Sequence, residues 1–226
     1  MKKPKIAICV NYANYQDDNK LRWQRNALEV LALNAPSSVD LCVINFKEDK
    51  VEVPARFEVV RRIHRNSKKS LNNTRPLPYI KDLLNVCVSR PCDIFGYLNS
   101  DILVKPDFFD RFDKRKIGAF LFSRFDISDI CVADFQDNRE KVIWDGHPGF
   151  DGIFFRKDWW QKYRTGFDPG MILGEPEWDF YYCNQIKQRT RRYFAERVLY
   201  HVFHPTIWTL DSPGAEMNRR INGTLR

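Results

Sequence analysis

The stretch Asp93-Ile94-Phe95-Gly96-Tyr97-Leu98-Asn99-Ser100-Asp101-Ile102 passes from a hydrophobic run into three polar residues with no break between them. An apolar segment over 93–98 bounded by polar residues reads as a buried strand whose carboxyl end opens on a ligand or on solvent. In extended backbone Asn99 and Asp101 are two residues apart and share a face. An amide oxygen and a carboxylate there can converge on one divalent cation or on a ribose, while Ser100 faces away. The competing reading is a turn in which Asp101 caps a helix or accepts backbone amides.

Upstream, Pro76 and Pro78 open a segment in which Ile80, Leu83, Leu84, Cys87 and Val88 follow the i, i+3, i+4, i+7, i+8 pattern of a helix packed on a sheet. Further back, 5–10 reads as a short strand ending in the turn-prone Asn11-Tyr12-Ala13-Asn14-Tyr15. A helix over 21–33 follows, capped by Asp18 or Asn19 and closed by Pro36. Buried strands are expected over 39–46 and 57–63, then a basic loop over 64–75. Downstream, a short helix around Phe108 and Phe112 precedes a strand over 117–125. This alternation predicts an α/β fold with a mostly parallel central sheet flanked by helices and a ligand crevice beyond the strands' carboxyl ends. The second half is less regular, with a strand at 152–155, a helix at 176–188 and a strand at 198–203.

A length of 226 residues suits one sizeable domain. We divide it into a nucleotide-binding half, 1–125, a smaller irregular acceptor-side half, 126–215, and a polar tail or linker, 216–226. Apolar residues at 43% and charged residues at 29% exclude a largely disordered chain. The aromatic content of 14% suits both stacking on ligand rings and a dense core. Six cysteines without a C-x-x-C pair point to a reducing compartment. With no stretch of spanning length or signal-peptide form, the expected location is cytoplasmic, with room for peripheral membrane contact. The net charge of +8 suits a diphosphate, a nucleic acid or an anionic membrane, but its clusters lack the interleaved aromatics of an RNA-binding signature.

With Leu77-Pro78-Tyr79-Ile80-Lys81-Asp82-Leu83-Leu84 as lead-in helix and the 93–102 stretch as motif strand, the chain resembles the GT-A glycosyltransferase superfamily. The resemblance implies a single Rossmann-like GT-A domain. In it an Asp-x-Asp-like motif at a strand end holds Mn²⁺ or Mg²⁺ against the diphosphate of a nucleotide sugar. Here Asn99 stands where the family prefers Asp, so Asp101 becomes the chief metal ligand and Asn99 a contact to ribose or water. The implied activity is inverting transfer of a sugar to a glycan or other hydroxyl acceptor, as in polysaccharide biosynthesis. No nucleic-acid partner is expected.

The same resemblance nominates a general base in Gly174-Glu175-Pro176-Glu177-Trp178-Asp179, with Asp179 first and Glu177 and Glu175 behind it. Trp178 is nominated to stack on a sugar. Asp151 and Gly152, after the glycine-bearing stretch Gly146-His147-Pro148-Gly149-Phe150, are expected to border the donor sugar and acceptor. Asn11 and Tyr12 would seat the base and ribose, with Arg65, Lys68 or Lys69 meeting the diphosphate. A late His is expected as a further metal ligand. Since His201 and His204 are offset by three residues, a strand running through both to Pro205 sends them to opposite faces, and one at most is expected to bind. Two alternatives remain. A sugar-phosphate nucleotidyltransferase needs a glycine-rich phosphate loop, which Asn11-Tyr12-Ala13-Asn14 does not supply. A non-catalytic basic module for glycan or nucleic acid would show steep salt dependence.

Overall fold

The computed structural model describes residues 3–73, 75–114, 116–204 and 209–223. In chain order the elements are β1 (Ile6–Val10), α1 (Asp18–Asn34), β2 (Val39–Phe46), β3 (Glu58–Ile63), α2 (Ser67–Leu71), α3 (Ile80–Cys87), β4 (Ile94–Leu98) and β5 (Ile102–Val104). A 3₁₀ segment, Pro106–Asp113, leads to β6 (Ala119–Ile127), α4 (Val132–Gln136), β7 (Val142–Trp144), β8 (Gly152–Arg156) and α5 (Lys157–Tyr163). The chain then forms α6 (Trp178–Arg189), β9 (Tyr193–Val202) and α7 (Pro213–Gly223).

One mixed sheet has the order β3-β2-β1-β4-β8-β6-β9-β5, with β7 attached to β6. The expected parallel arrangement holds from β3 to β4. It changes at β8, which runs against both β4 and β6. β6 and β9 are again parallel, and β5 closes the far edge antiparallel to β9.

Alternate side chains of β1 feed two cores. Ala7 and Cys9 join Leu83, Leu84, Trp160 and Ile186 on one face, and Ile6, Ile8 and Val10 join Leu28, Leu31, Phe108 and Phe112 on the other. Burial on both faces explains why this strand reads as an unbroken apolar run. Much of the aromatic content goes into these cores: Phe112 packs edge to face or tilted on Phe108, Phe120, Phe122 and Phe154 at 5.4, 5.2, 5.5 and 5.0 Å. β4 and β8 approach so closely that a Cβ on Gly96 would overlap the Ile153 carbonyl and the Phe154 ring.

Several boundaries differ from the sequence reading. Asp17 caps α1, its carboxylate accepting the amides of Asn19 and Lys20 at 2.9 and 3.1 Å, because Asp18 already lies in the first turn. β3 is a sheet edge, with Arg61 and Arg62 exposed, and the basic loop contains α2. The expected tail is structured through Gly223: Ala215 and Ile221 are buried, and Asn218 exchanges hydrogen bonds with the Ile172 backbone at 2.8 and 2.9 Å. Residues 224–226 lie outside the described residues. Five of the six cysteines are buried and all six are free thiols. No helix among the described residues is long and apolar enough to cross a membrane.

Candidate functional site

β4 ends at Leu98, and the chain turns before restarting as β5. The Asn99 amide donates to the Asp151 carbonyl at 2.9 Å and the Ile102 amide to the Asn99 carbonyl at 3.3 Å. This turn corrects the extended-strand expectation, and it sends the two polar side chains to different partners. Asn99 Nδ2 donates to Asp151 Oδ1 at 2.7 Å. Asp101 Oδ2 instead lies 3.5 Å from His201 Nε2 and 3.6 Å from His204 Nε2. Ser100 is held away by the Gln24 side chain at 2.8 Å.

Both histidines therefore reach Asp101, which corrects the expectation that the two rings face opposite ways. β9 carries His201 opposite Ile102 of β5, but the strand stops at Val202. The chain then bends, with the Phe203 amide donating to the Ile127 carbonyl at 2.9 Å, so an offset of three no longer separates the rings. His204 stacks on Trp23 of α1 at 5.4 Å, and its Nε2 lies 3.1 Å from that of His201. Pro205 lies outside the described residues. The three ligand atoms span 3.1, 3.5 and 3.6 Å. With ligand bonds of about 2.1 Å, the edge of an octahedron is about 3.0 Å and that of a tetrahedron about 3.4 Å, so this triangle has the size of one face of a metal's coordination shell.

The three groups balance one another's charge through hydrogen bonds. Burial would raise the Asp101 carboxyl, but hydrogen bonding to His201 and His204 overrides it and holds the group well below the usual range. Burial would lower His201, yet its bonds to Asp101 and Asp126 push it up to about 9. Tyr15, in the loop after β1, is raised by burial and further by Asp101, with Arg75 acting in the opposite sense. Its hydroxyl thus sits within range of both charges.

A second group stands beside the first, where β8 begins. Asp151 is buried, and its Oδ1 accepts from Asn99 and, at 2.8 Å, from Arg124. His147 Nε2 lies 3.6 Å from Asp151 Oδ2, an atom without a hydrogen-bond partner. Asp179, in the first turn of α6, accepts the Phe150 amide at 2.9 Å. Burial, aided by the Asp151 charge and opposed by backbone amides, raises its carboxyl to about 6. Trp144, 45% exposed on β7, meets the His147 ring edge-on at 6.0 Å and flanks this group.

The remaining nominated residues have structural places. Glu175 is 2% exposed and accepts from Asn73 and Ser212, both at 2.9 Å, so it ties the 66–75 segment to α7. Glu177 precedes α6 with a left-handed φ of 72° and accepts from Asn222 at 2.9 Å. Trp178 is buried edge-on against Tyr97 at 5.8 Å, which removes it as a sugar platform. Gly152 packs under Leu98 and Leu199 inside the sheet. Tyr12 is buried in the core, its backbone paired with the Asn45 side chain, so its ring offers no face to a base. Asn11 donates to the Ile44 carbonyl at 2.8 Å and braces the same loop. Arg65 is occupied by Asp82 through two bonds of 2.9 Å and lies over the Tyr79 ring, while Lys68 and Lys69 are exposed on α2.

The sequence reading passed over Arg124, Asp126, His147, Tyr15 and Trp23. For the first two a signal existed: two charges alternating with Phe125 at the end of an apolar strand.

No family model and no curated protein sequence matches the chain. In structure it is similar to S. aureus TarS 1–349, with a TM-score of 0.54 and 10% identity over 88% of this chain and 60% of that one. The same TarS fragment in complex with UDP-GlcNAc gives a TM-score of 0.54 and 10% identity over 89% and 59%. This chain thus spans about 60% of the length of those structures. The chain shares the fold of these structures, in line with the GT-A fold that the sequence resemblance implied.

Proposed function

We propose that this chain is a metal-assisted, inverting glycosyltransferase that uses a nucleoside diphosphate sugar, with a uridine diphosphate sugar the first donor to test. The observation that carries the reading is the Asp101–His201–His204 triangle at the carboxyl end of β4, where a sheet of this kind receives its ligand. One carboxylate oxygen and two imidazoles suit Mn²⁺ better than Mg²⁺, which prefers an all-oxygen shell, and three protein ligands leave positions for phosphate oxygens. The same donors would also hold zinc or iron; the fold is what argues for a diphosphate. An ion held there supplies charge neutralisation to the leaving diphosphate.

The protein's own groups carry the rest. Asp179 takes the proton of the acceptor hydroxyl as that oxygen bonds to the anomeric carbon. The bond from the anomeric carbon to the diphosphate breaks on the opposite face, and the nucleoside diphosphate leaves with the electron pair. A carboxyl raised to about 6 is ionised at neutral pH yet basic enough for this task. Asp151, bonded to Asn99 on one side and next to the Asp179 loop on the other, is assigned to the sugar hydroxyls. Tyr15 replaces Tyr12 as the donor-side candidate, with Arg75, held by the Gly174 carbonyl and Glu175, as the positive charge near it.

The test is a thermal-shift series with UDP, UDP-GlcNAc and other nucleotide sugars, with and without Mn²⁺, followed by measurement of nucleotide release. Stabilisation by a nucleoside diphosphate that requires Mn²⁺ is expected. If none stabilises the protein under either condition, the reading fails.

A further inference from the structure

Between the metal triangle and the acceptor-side group runs a buried chain of charges that neither accounts for. Asp126 is fully buried in β6, directly across from His201 of β9 in the parallel register. Its Oδ1 meets His201 Nδ1 at 2.7 Å and accepts from Arg124 Nε at 3.0 Å. Arg124, two residues earlier on the same strand face, donates through its other arm to Asp151 Oδ1 at 2.8 Å, which also accepts from Asn99. Asn99 and Asp101 belong to one turn, so the contacts close into a ring through Asp101, His201, Asp126, Arg124, Asp151 and Asn99. Buried ion pairs seldom stabilise a fold more than apolar residues of equal volume, so such a ring calls for a positional role.

Resting on the metal reading above, we propose that Asp126 and Arg124 are positioning residues that join the two halves of the site. Asp126 grips His201 through Nδ1 and so turns Nε2 toward Asp101 and His204, the arrangement by which a carboxylate behind a histidine orients it for a cation. Arg124 spans Asp126 and Asp151 with two N–H groups of one planar guanidinium, a fixed geometry that the compact ammonium of Lys does not reproduce. This leaves Asp151 Oδ2, buried and without a hydrogen-bond partner, for a ligand hydroxyl. Cation placement and acceptor-side geometry are thereby fixed by one rigid group.

The experiment measures Mn²⁺ binding to the full chain by electron paramagnetic resonance of the free ion, alongside melting with and without Mn²⁺. In Asp126→Asn the metal-free melting temperature is expected to fall, because Arg124 and His201 lose a buried charge partner, while Mn²⁺ affinity of the folded protein falls about 10- to 100-fold and the Mn²⁺-induced rise in melting temperature shrinks. Should that variant fail to fold, Arg124→Lys carries the test: it keeps the buried positive charge but loses the span, and several-fold weaker Mn²⁺ binding is expected. Asp101→Asn serves as the control and is expected to abolish binding. If Asp101→Asn loses Mn²⁺ while Asp126→Asn or Arg124→Lys binds it as the parent does, the positioning role is overturned and the metal site stands. If Asp101→Asn binds Mn²⁺ like the parent, the metal reading itself is wrong and the positioning role falls with it.

Discussion

Gly149 lies directly beneath the carboxylate of Asp179: a Cβ at position 149 would overlap Asp179 Oδ2 and come within 2.9 Å of His147 Nε2. The absence of a side chain at 149 is what lets the 145–151 loop close over the candidate base. Gly149→Ala is therefore expected to displace Asp179 or the loop and to lower kcat by at least tenfold, since small misplacements of a reacting group are costly. Mn²⁺ and nucleotide affinities, measured by titration, are expected to stay within about twofold because the cation triangle lies elsewhere. Parent-like turnover would separate the loop from the chemistry.

The raised Asp179 carboxyl sets the pH dependence. As a base it acts only when ionised, so kcat/KM is expected to fall as pH drops through about 6, well above the ordinary aspartate range. A profile measured from pH 4.5 to 8.5 with an acid limb near 4 would remove Asp179 from the role. The same shift bears on stability. A folded value above the unfolded one means that the fold favours the protonated form, so ionisation above pH 6 is destabilising. Asp179→Asn is expected to melt higher than the parent at pH 8, with that advantage fading below pH 6, while losing about 10²- to 10⁴-fold in rate.

Chelation is expected to abolish transfer, with Mn²⁺ restoring it more effectively than Mg²⁺ because two of the three ligand atoms are imidazole nitrogens. Asp101→Ala is expected to cost at least about a hundredfold in kcat. Turnover assays in EDTA and after back-titration decide the matter, and full activity in EDTA would refute metal dependence.

Glu175 is expected to matter for stability and not for chemistry. Its replacement by Ala removes one acceptor of the Asn73 amide, the acceptor of the Ser212 hydroxyl and the charge facing Arg75 in a buried setting. Such losses cost about 1–3 kcal/mol, which for a chain of this size lowers Tm by roughly 2–12 °C. Calorimetry reads the loss, and kcat per folded molecule is expected to remain near the parent's.

Where the sequence could be read, its signals were local. The helical spacing from Ile80 to Cys87 and the apolar runs of β1, β2 and β4 each follow from which faces are buried, so their pattern is written in the residues themselves. The break after Leu98 was legible, and with it Asp101. The direction of β8 was not, since an apolar run such as Gly152–Arg156 reads the same whether it runs with or against its neighbours. The pairing of His201 with His204 depends on the strand stopping at Val202, earlier than Pro205 signals. Tyr12 and Trp178 misled for one reason: an aromatic ring serves a core and a ligand equally well, and only its neighbours decide. The acidic run at 175–179 divided in the same way, with Glu175 and Glu177 spent on α7 and Asp179 alone turned to the 145–151 loop.

Because β8 reverses the polarity of the sheet, the chain arrives at Asp151 on the same rim from which β4 departs at Asn99. Segments from distant parts of the chain therefore meet edge to edge without either crossing the other. The 145–151 span is moored to the strands behind it by Ser123 and Arg197 at the His147 carbonyl, each at 3.3 Å. Within it Gly149 and Asp151 are tied to Asp179 and to Asn99 at the end of β4, whereas the exposed Trp144 beside it makes no such bond. On the proposed reading, the rim where β4 ends would meet what is handed over, and the span that enters β8 what receives it.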